Sequence, residues 1–136
     1  MYSVSKTFSF CYGHRLMDDP GKCGGLHGHT AKATIVIESS ELDKLGMVCH
    51  FDELKDKVGK WIEQNLDHRM LLAEGDPLVK ILKDQGERVV VLQGNPTAEN
   101  IAKHIFDQSK QSGVPVSTVE VWESPTSKAT YKTSDR

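Results

Sequence analysis

The chain has 136 residues, 38% of them hydrophobic and 26% charged, which predicts one domain over residues 1–136 with a substantial core. Lys and Arg number 17 and Asp and Glu 19, so the formal net charge is −2 (17 − 19), and without a basic patch or arm nucleic-acid binding is disfavoured. No apolar run reaches the length of a membrane span, and no secretory leader is recognisable. The three cysteines include no Cys-x-x-Cys motif, which disfavours a disulfide framework. We therefore expect a cytoplasmic protein.

The first third of the chain predicts two strands joined by a polar loop. Apolar residues alternate with polar or small ones from Val4 to Phe10, as in a half-buried strand. A loop rich in Gly, Pro and Asp covers 17–25, and residues 30–39 alternate again. His27 and His29 are in phase with the apolar row of this second strand, so we expect both imidazoles on its buried face.

The middle of the chain predicts helices. Residues 52–66 carry apolar side chains at helical spacing, and Asp52 is a plausible N-cap. Asp76-Pro77 is expected to start a short helix that ends near Gly86, and 89–92 forms a short apolar strand.

A last helix is predicted to begin with Asn95 as its cap and Pro96 at its first position, and to end at Gly113 and Pro115. Its apolar stripe comprises Ala98, Ile101, Ala102, Ile105 and Phe106. Two closing strands follow over 116–123 and 128–132. The order of strands, helices and strands predicts an α+β fold in which helices cover one face of an antiparallel sheet.

Three histidines form the candidate metal site. His27 and His29 share a strand face, and His14 follows the preceding strand. Three imidazoles with an open fourth position are the ligand set of a catalytic zinc site, although Fe(II) and Ni(II) also accept imidazole. The alternative is a loop in which histidines occur by chance. His50, His68 and His104 do not share this spacing, and His104 is interpreted as a solvated helix residue.

Six motifs, taken together and in order, resemble the 6-pyruvoyl-tetrahydropterin synthase family, which includes the bacterial 6-carboxy-tetrahydropterin synthases of queuosine biosynthesis. The resemblance extends from Phe8 to Tyr131. The motifs are His14-Arg15-Leu16, Cys23 with Leu26-His27-Gly28-His29, Gly46-Met47-Val48, Leu66-Asp67-His68, Asn95-Pro96-Thr97 with Glu99-Asn100, and Val121 with Glu123.

This resemblance implies a tunnelling fold, in which a four-stranded antiparallel sheet carries helices on one face and sheets join into a barrel in a homohexamer. It implies Zn²⁺ held by His14, His27 and His29, and 7,8-dihydroneopterin triphosphate as the substrate. The further implied site residues are Cys23 as a catalytic thiol, Asp67 and His68 as catalytic groups from a neighbouring subunit, and Glu123 and Thr97 as pterin-binding residues.

Each of these assignments has a structural alternative. Cys23 would otherwise be a small buried hydrophobe, and Asp67-His68 would cap the preceding helix. Glu123 would be a solvated edge carboxylate, and Thr97 would belong to a helix start. The chemistry of the residues agrees with the implied roles, because a thiolate beside a dication can take a proton and a carboxylate can accept two hydrogen bonds from a pterin.

The chain departs from the family pattern at three places. His50 stands where the family usually has Asp, Leu72 stands where it usually has Asn, and residues 73–94 form a longer segment than the family usually has. These departures leave the metal and thiol residues intact but bear on the substrate and on the mouth of the pocket.

The favoured function is a zinc-dependent lyase of the 6-carboxy-tetrahydropterin synthase type. The alternatives are triphosphate elimination of the 6-pyruvoyl-tetrahydropterin synthase type, a zinc-containing pterin-binding homologue without this turnover, and a structural zinc domain. A structural site would have four protein ligands, whereas a catalytic site keeps one position open.

Overall fold

A long antiparallel hairpin forms the centre of the fold. Strand β1 (Tyr2–His14) pairs with β2 (His27–Ser39) along its whole length, with Tyr2 opposite Ser39 and His14 opposite His27. Both strands extend beyond the predicted ranges, because pairing continues through the polar residues up to the histidines. The computed structural model describes residues 1–134.

Four further strands complete a six-stranded sheet in the order β4-β3-β1-β2-β5-β6. The α+β fold class is confirmed, and the predicted four-stranded antiparallel sheet corresponds to β1, β2, β5 and β6. The other two strands lie parallel to their neighbours, so the sheet is mixed rather than wholly antiparallel. The additional strands are β3 (Arg69–Ala73), β4 (Val89–Leu92), β5 (Thr118–Ser124) and β6 (Ser127–Lys132).

Strand β3 was not predicted, because its five residues follow a helix closely and show no clear alternation. It pairs with β1 at Tyr12, Gly13 and His14, and with β4 on its other side. The segment 73–94 therefore contributes an edge strand to the sheet, together with the short helix α3 (Leu78–Asp84). These two elements match the predicted helix-and-strand pattern.

The predicted helix 52–66 is continuous but not uniform. It consists of α1 (Phe51–Leu54), a π-helical segment (Lys55–Gly59) and α2 (Lys60–Asn65). His50 occupies the N-cap position without a side-chain cap bond, so the prediction of Asp52 as the cap is wrong and Asp52 lies in the first turn. Gly59 is required by packing, since a Cβ there would lie 2.6 Å from the Phe8 ring.

Helix α4 (Ala98–Gln111) begins later than predicted. Thr97 is its N-cap, and the Thr97 hydroxyl accepts a hydrogen bond from the Asn100 N–H at 3.1 Å. Asn95 was predicted as the cap, but its side-chain amide instead bonds both the N–H and the carbonyl of Met17. Asn95 thus fastens the loop after β1 to the start of α4.

The core lies between one face of the sheet and the helices. All five predicted apolar residues of α4 are buried there. The opposite face of the central hairpin carries polar side chains such as Thr7, Ser9, Thr30 and Lys32. Over residues 1–134, no helix is long and apolar enough to cross a membrane. The sheet contributes Phe10, Tyr12, Ala31, Ala33, Ile35, Ile37, Val119 and Val121 to the core, and the helices contribute Leu54, Val58, Ile62, Ile101, Ala102, Ile105 and Phe106.

A buried ion pair fastens segment 73–94 to the residue after His14. The Arg15 guanidinium donates to both Asp76 carboxylate oxygens, at 2.8 and 2.6 Å, and the Asp76 side chain is fully buried. The Leu78 N–H also donates to Asp76. The Arg15 guanidinium, followed by the Leu78 N–H, holds the pKa of Asp76 below its ordinary value despite burial.

We expect Asp76→Ala to lower the free energy of unfolding by about 3 kcal/mol at pH 7, because it leaves Arg15 without its buried partner. Since the pKa of Asp76 is lowered in the fold, the carboxylate stabilises the protein above the ordinary Asp pKa of about 4, and this contribution is lost as the pH falls through the folded value. Urea unfolding of the metal-free protein at several pH values measures both effects.

The matched control is Asp84→Ala, which removes an exposed partner of Lys80. It should change the unfolding free energy by less than about 0.5 kcal/mol. Equal losses in the two variants would contradict the role of the buried pair.

Candidate metal centre

Three imidazoles converge at the end of the β1–β2 hairpin where the loop 15–26 joins the two strands. The Nε2 atom of His14 lies 3.0 Å from Nε2 of His27 and 3.2 Å from Nε2 of His29. The strand period and the pairing of His14 with His27 bring all three side chains to the core face. His14 is buried, while His27 and His29 are partly exposed, so the cluster is accessible from one side.

Backbone carbonyls fix the orientation of two of these rings. Nδ1 of His14 lies 2.7 Å from the Pro96 carbonyl, and Nδ1 of His27 lies 2.7 Å from the Gly25 carbonyl. A carbonyl only accepts, so each Nδ1 carries the proton and each Nε2 presents a lone pair to the cluster. Such outer hydrogen bonds are the usual way in which metal-binding histidines are oriented.

This arrangement fits a divalent metal ion better than it fits the histidines alone. Two Nε2 lone pairs that face each other at 3.0 Å repel unless a cation or a proton lies between them. Burial, acting against the Pro96 carbonyl, lowers the pKa of His14 and so favours the neutral ring that a metal requires. Among the residues described, these three are the group of His, Cys, Asp and Glu side chains with metal-binding geometry.

Glu123 lies at the edge of the cluster, on the same sheet face. Its Oε2 atom is 3.9 Å from Nε2 of His29, and about a third of its side chain is exposed. Glu123 also lines a cleft of about 470 Å³ with Leu16, Thr97, Lys128 and Thr130. The structure therefore brings the two predicted pterin-binding residues, Glu123 and Thr97, into one cleft beside the histidines.

Cys23 lies in the loop that covers the hairpin end. It is part of a short 3₁₀ turn (Lys22–Gly24), and its carbonyl accepts the Leu16 N–H at 2.9 Å. The thiol is partly exposed and free, but it is not among the side chains whose ligand atoms lie within 4.8 Å of one another. The structure thus places Cys23 on the loop beside the site rather than in the ligand set.

Asp67 and His68 form a separate pair on the edge of β1. The Asp67 carboxylate accepts a hydrogen bond from the Cys11 backbone N–H at 2.8 Å and lies 3.0 Å from Nδ1 of His68. The backbone N–H of His68 donates to the Cys11 carbonyl. The Asp67 backbone N–H also donates to the Ile62 carbonyl at 2.9 Å, so Asp67 caps the preceding helix through its backbone while its carboxylate forms this pair. Burial acts to raise the pKa of Asp67, but the hydrogen bonds from Cys11 and His68 hold it below its ordinary value.

The backbone of His68 is in the left-handed region, with φ of 59°, a conformation that costs energy for a residue with a Cβ. Its side chain is 69% exposed and makes no hydrogen bond with the three histidines in the described part of the chain. His68 borders a cleft of about 610 Å³ together with His27, His29, Arg69 and Arg88. Arg88 belongs to segment 73–94, so that segment does reach the cleft beside His68.

Two other histidines lie away from the cluster. His50 lies at the start of α1 in a different cleft, beside Tyr2 and Phe51. His104 was interpreted as solvated, but its ring packs on Trp61 with centroids 5.4 Å apart, and burial lowers its pKa. The solvated interpretation is wrong, because Trp61 on the neighbouring helix covers that side of α4.

Tyr12 is the residue at the site that the sequence analysis did not single out. Its ring contacts the rings of His14 and His29, with centroids 5.0 and 5.7 Å apart. Burial and then the charge of Glu123 raise the pKa of Tyr12, so the phenol is neutral. Its position two residues before His14 on the same strand face was the available signal.

Comparisons with known proteins find relatives over most of the chain. The sequence profile described as 6-pyruvoyl tetrahydropterin synthase matches residues 3–134. A 6-carboxy-5,6,7,8-tetrahydropterin synthase from Rickettsia conorii is 39% identical over 110 residues, covering 79% of this chain and 80% of the relative. A protein of the same name from Haemophilus influenzae is 34% identical over 141 residues, covering 97% and 99%.

Solved structures show the same fold. An uncharacterised protein from Wolinella succinogenes superposes with a TM-score of 0.81 at 30% identity, over 98% of each chain. The 6-pyruvoyl tetrahydropterin synthase of Caenorhabditis elegans superposes with a TM-score of 0.73 at 25% identity, covering 98% of this chain and 96% of that one.

We expect His27→Ala to lose bound metal, because two imidazoles hold a divalent ion far less tightly than three. The wild-type protein, loaded with Zn²⁺ and dialysed, should retain roughly one ion per chain, and the variant well under half of that by mass spectrometry of the metal. His50→Ala is the matched control and should retain metal like the wild type. Unchanged metal in His27→Ala would show that the ligand assignment is wrong.

Proposed function

The chain belongs to the 6-pyruvoyl tetrahydropterin synthase family, and we propose that it is a zinc-dependent lyase that converts 7,8-dihydroneopterin triphosphate to 6-carboxy-5,6,7,8-tetrahydropterin. The observation that supports this proposal most is the set of three converging Nε2 atoms beside Glu123 and Thr97. The names of the relatives favour the carboxy product over the pyruvoyl product.

Zinc is the metal that we assign to His14, His27 and His29. Imidazole ligands with an open position suit it, and when bound it polarises an oxygen and acidifies the neighbouring C–H bond. The partial exposure of His27 and His29 leaves a side from which a substrate can approach. A structural zinc site is disfavoured, because no fourth protein ligand completes the cluster in the described chain.

Glu123 binds the pterin in this proposal. The guanidine-like edge of the ring presents two N–H donors, and a carboxylate accepts both in a bidentate pair. Thr97 lines the same cleft, but its hydroxyl already accepts the Asn100 N–H as a helix cap. Its hydroxyl proton remains free to donate to the pterin, so the capping role and the binding role are compatible.

Cys23 takes the proton from the substrate side chain. A thiolate is the form of cysteine that takes a proton, and the role is supported by the position of Cys23 on the loop that joins the two strands carrying the histidines. The pair Asp67-His68 carries protons, with the carboxylate 3.0 Å from Nδ1 fixing the imidazole tautomer. We assign this pair to the site of a neighbouring subunit in a homohexamer, since its exposed imidazole makes no contact with the histidines of its own chain.

The product is determined by how many side-chain carbons remain. The neopterin side chain has three carbons and a 6-carboxy group has one, so the favoured reaction releases a two-carbon fragment as well as triphosphate. The pyruvoyl-type alternative keeps all three carbons. We further place the protein in the cytoplasm, in a queuosine-type pathway, in keeping with its three free thiols.

A pterin-binding homologue without turnover is the competing proposal, favoured by the departures at His50 and Leu72. Mass spectrometry of the zinc-loaded protein with 7,8-dihydroneopterin triphosphate distinguishes the two. A 6-carboxy product with release of triphosphate supports the proposal. Tight binding without release of triphosphate would replace it with the binding function.

We expect Cys23→Ala to retain zinc and to lose at least about a hundredfold in kcat, because the general base is removed while the ligand set is untouched. Cys49→Ala, a partly buried thiol away from the site, is the matched control and should keep its activity. Full activity in Cys23→Ala would exclude this thiol as the base.

A shared site predicts complementation between two inactive variants. Cys23→Ala and His68→Ala subunits, co-refolded in equal amounts, should regain roughly a quarter of the wild-type activity, because random mixing pairs an intact thiol with an intact neighbouring imidazole at that frequency. If each site used residues of its own chain alone, every site in the mixture would lack either the thiol or the imidazole, and no activity would return.

A further inference from the structure

Tyr12 lies on the buried side of the candidate metal site, against the imidazoles of His14 and His29. It is 3% exposed, its ring stacks on Phe10 at 5.5 Å, and its edges contact the rings of His14 and His29. An aromatic ring there is explained by packing. The hydroxyl is not explained by packing, because phenylalanine would fill the same space.

The Tyr12 hydroxyl is a buried polar atom without a hydrogen-bond partner of normal geometry among the described residues. Leaving such a group unpaired costs about 1–3 kcal/mol, so buried hydroxyls are normally bonded. The hydroxyl oxygen is also sealed from solvent, so bulk water does not satisfy it. A neighbouring side chain that changes position can supply the missing partner.

Glu123 is the neighbour that can provide this partner. Its carboxylate lies 3.9 Å from Nε2 of His29, and the Tyr12 ring packs against the same imidazole with centroids 5.7 Å apart, so the two side chains are neighbours at His29. Tyr12 on β1 is opposite His29 on β2, and the small, buried Ala31 is the next residue of β2 on the same face. Trp122 pairs with Lys32, so Glu123 lies level with Ala31, two residues along the same sheet face from the level of Tyr12 and His29.

Glu123 faces two regions. One carboxylate oxygen lies 3.9 Å from Nε2 of His29, while the side chain also borders the cleft with Thr97. A carboxylate that receives a pterin directs one oxygen at each of two ring N–H groups, and each oxygen keeps a second lone pair for a donor on the protein side. A donor on the buried side of the site can hold the carboxylate in one orientation.

We propose that Tyr12 is a positioning residue for Glu123, whose hydroxyl donates to the carboxylate when a pterin occupies the cleft and so holds it in the orientation that binds the ring. The inference rests on the proposed function of Glu123 as the pterin anchor. In the ligand-free protein the Tyr12 hydroxyl has no hydrogen-bond partner among residues 1–134, and in the pterin complex it donates to the Glu123 carboxylate. This arrangement exchanges stability of the free protein for affinity.

Tyr12→Phe tests the proposal, because it keeps the ring and removes only the hydroxyl. In the zinc-loaded variant, the Kd for neopterin, followed by pterin fluorescence, should rise about ten- to a hundredfold, the loss expected for a hydrogen bond to a charged group. KM for 7,8-dihydroneopterin triphosphate should rise in parallel, with kcat within about twofold of wild type. Zinc content should be unchanged, and the melting temperature of the metal-free variant should be equal to or above that of the wild type.

Tyr131→Phe is the matched control, since this ring packs on Phe106 away from the site. It should leave neopterin binding unchanged. Wild-type binding of neopterin with an unchanged Kd in Tyr12→Phe would overturn the role of Tyr12 and leave the proposed function standing. Loss of zinc, or a lower melting temperature without weaker binding, would overturn it in favour of a structural role. Failure of the wild type itself to bind or convert a pterin would overturn the proposed function and this inference with it.

Discussion

The close approach of three imidazole nitrogens is the constraint on which the rest of the site depends. Nitrogen atoms 3.0 and 3.2 Å apart, with two Nδ1 protons already given to carbonyls, are held together against the repulsion of their lone pairs. A rigid support is needed to keep the three nitrogens at this spacing. The thirteen-residue strands of the hairpin provide it, because their register places His14 opposite His27 and His29 one pleat further on the same face.

The surrounding fold fastens the irregular segments to this hairpin. Asn95 bonds the loop after β1 to the start of α4, the Pro96 carbonyl orients His14, and the Arg15–Asp76 pair attaches segment 73–94. The loop with Cys23 and the cleft with Glu123 are thereby held at the same end of the sheet. The residues that anchor these loops are also neighbours of a histidine of the cluster. Arg15 follows His14 in the chain, and Pro96, whose carbonyl orients His14, follows Asn95.

The site separates its chemical roles among different elements. In the proposed function, the hairpin supplies the metal ligands, the loop the thiol, β5 the carboxylate, and the edge beside Cys11 the Asp67-His68 pair. Within residues 1–134, the Glu123 carboxylate of β5 lies 3.9 Å from Nε2 of His29 on the hairpin. The exposed, conformationally strained His68 is consistent with the proposed use of that pair by a neighbouring copy.

The sequence by itself determined the fold class, the buried stripe of α4 and the shared face of His27 and His29, because each follows from a local period of two or about 3.6 residues. It did not reveal β3, since a five-residue strand is recognised by its partners rather than by its own pattern. It placed the caps at Asp52 and Asn95, whereas the structure uses Asn95 to bond Met17 and gives the α4 cap to Thr97. Only the tertiary structure decided which groups lie together. It brings the His14 ring to the Pro96 carbonyl, Glu123 and Thr97 to one cleft, and the Tyr12 ring against His14 and His29. These contacts join residues far apart in the chain, so they depend on strand register and packing, which no local pattern contains.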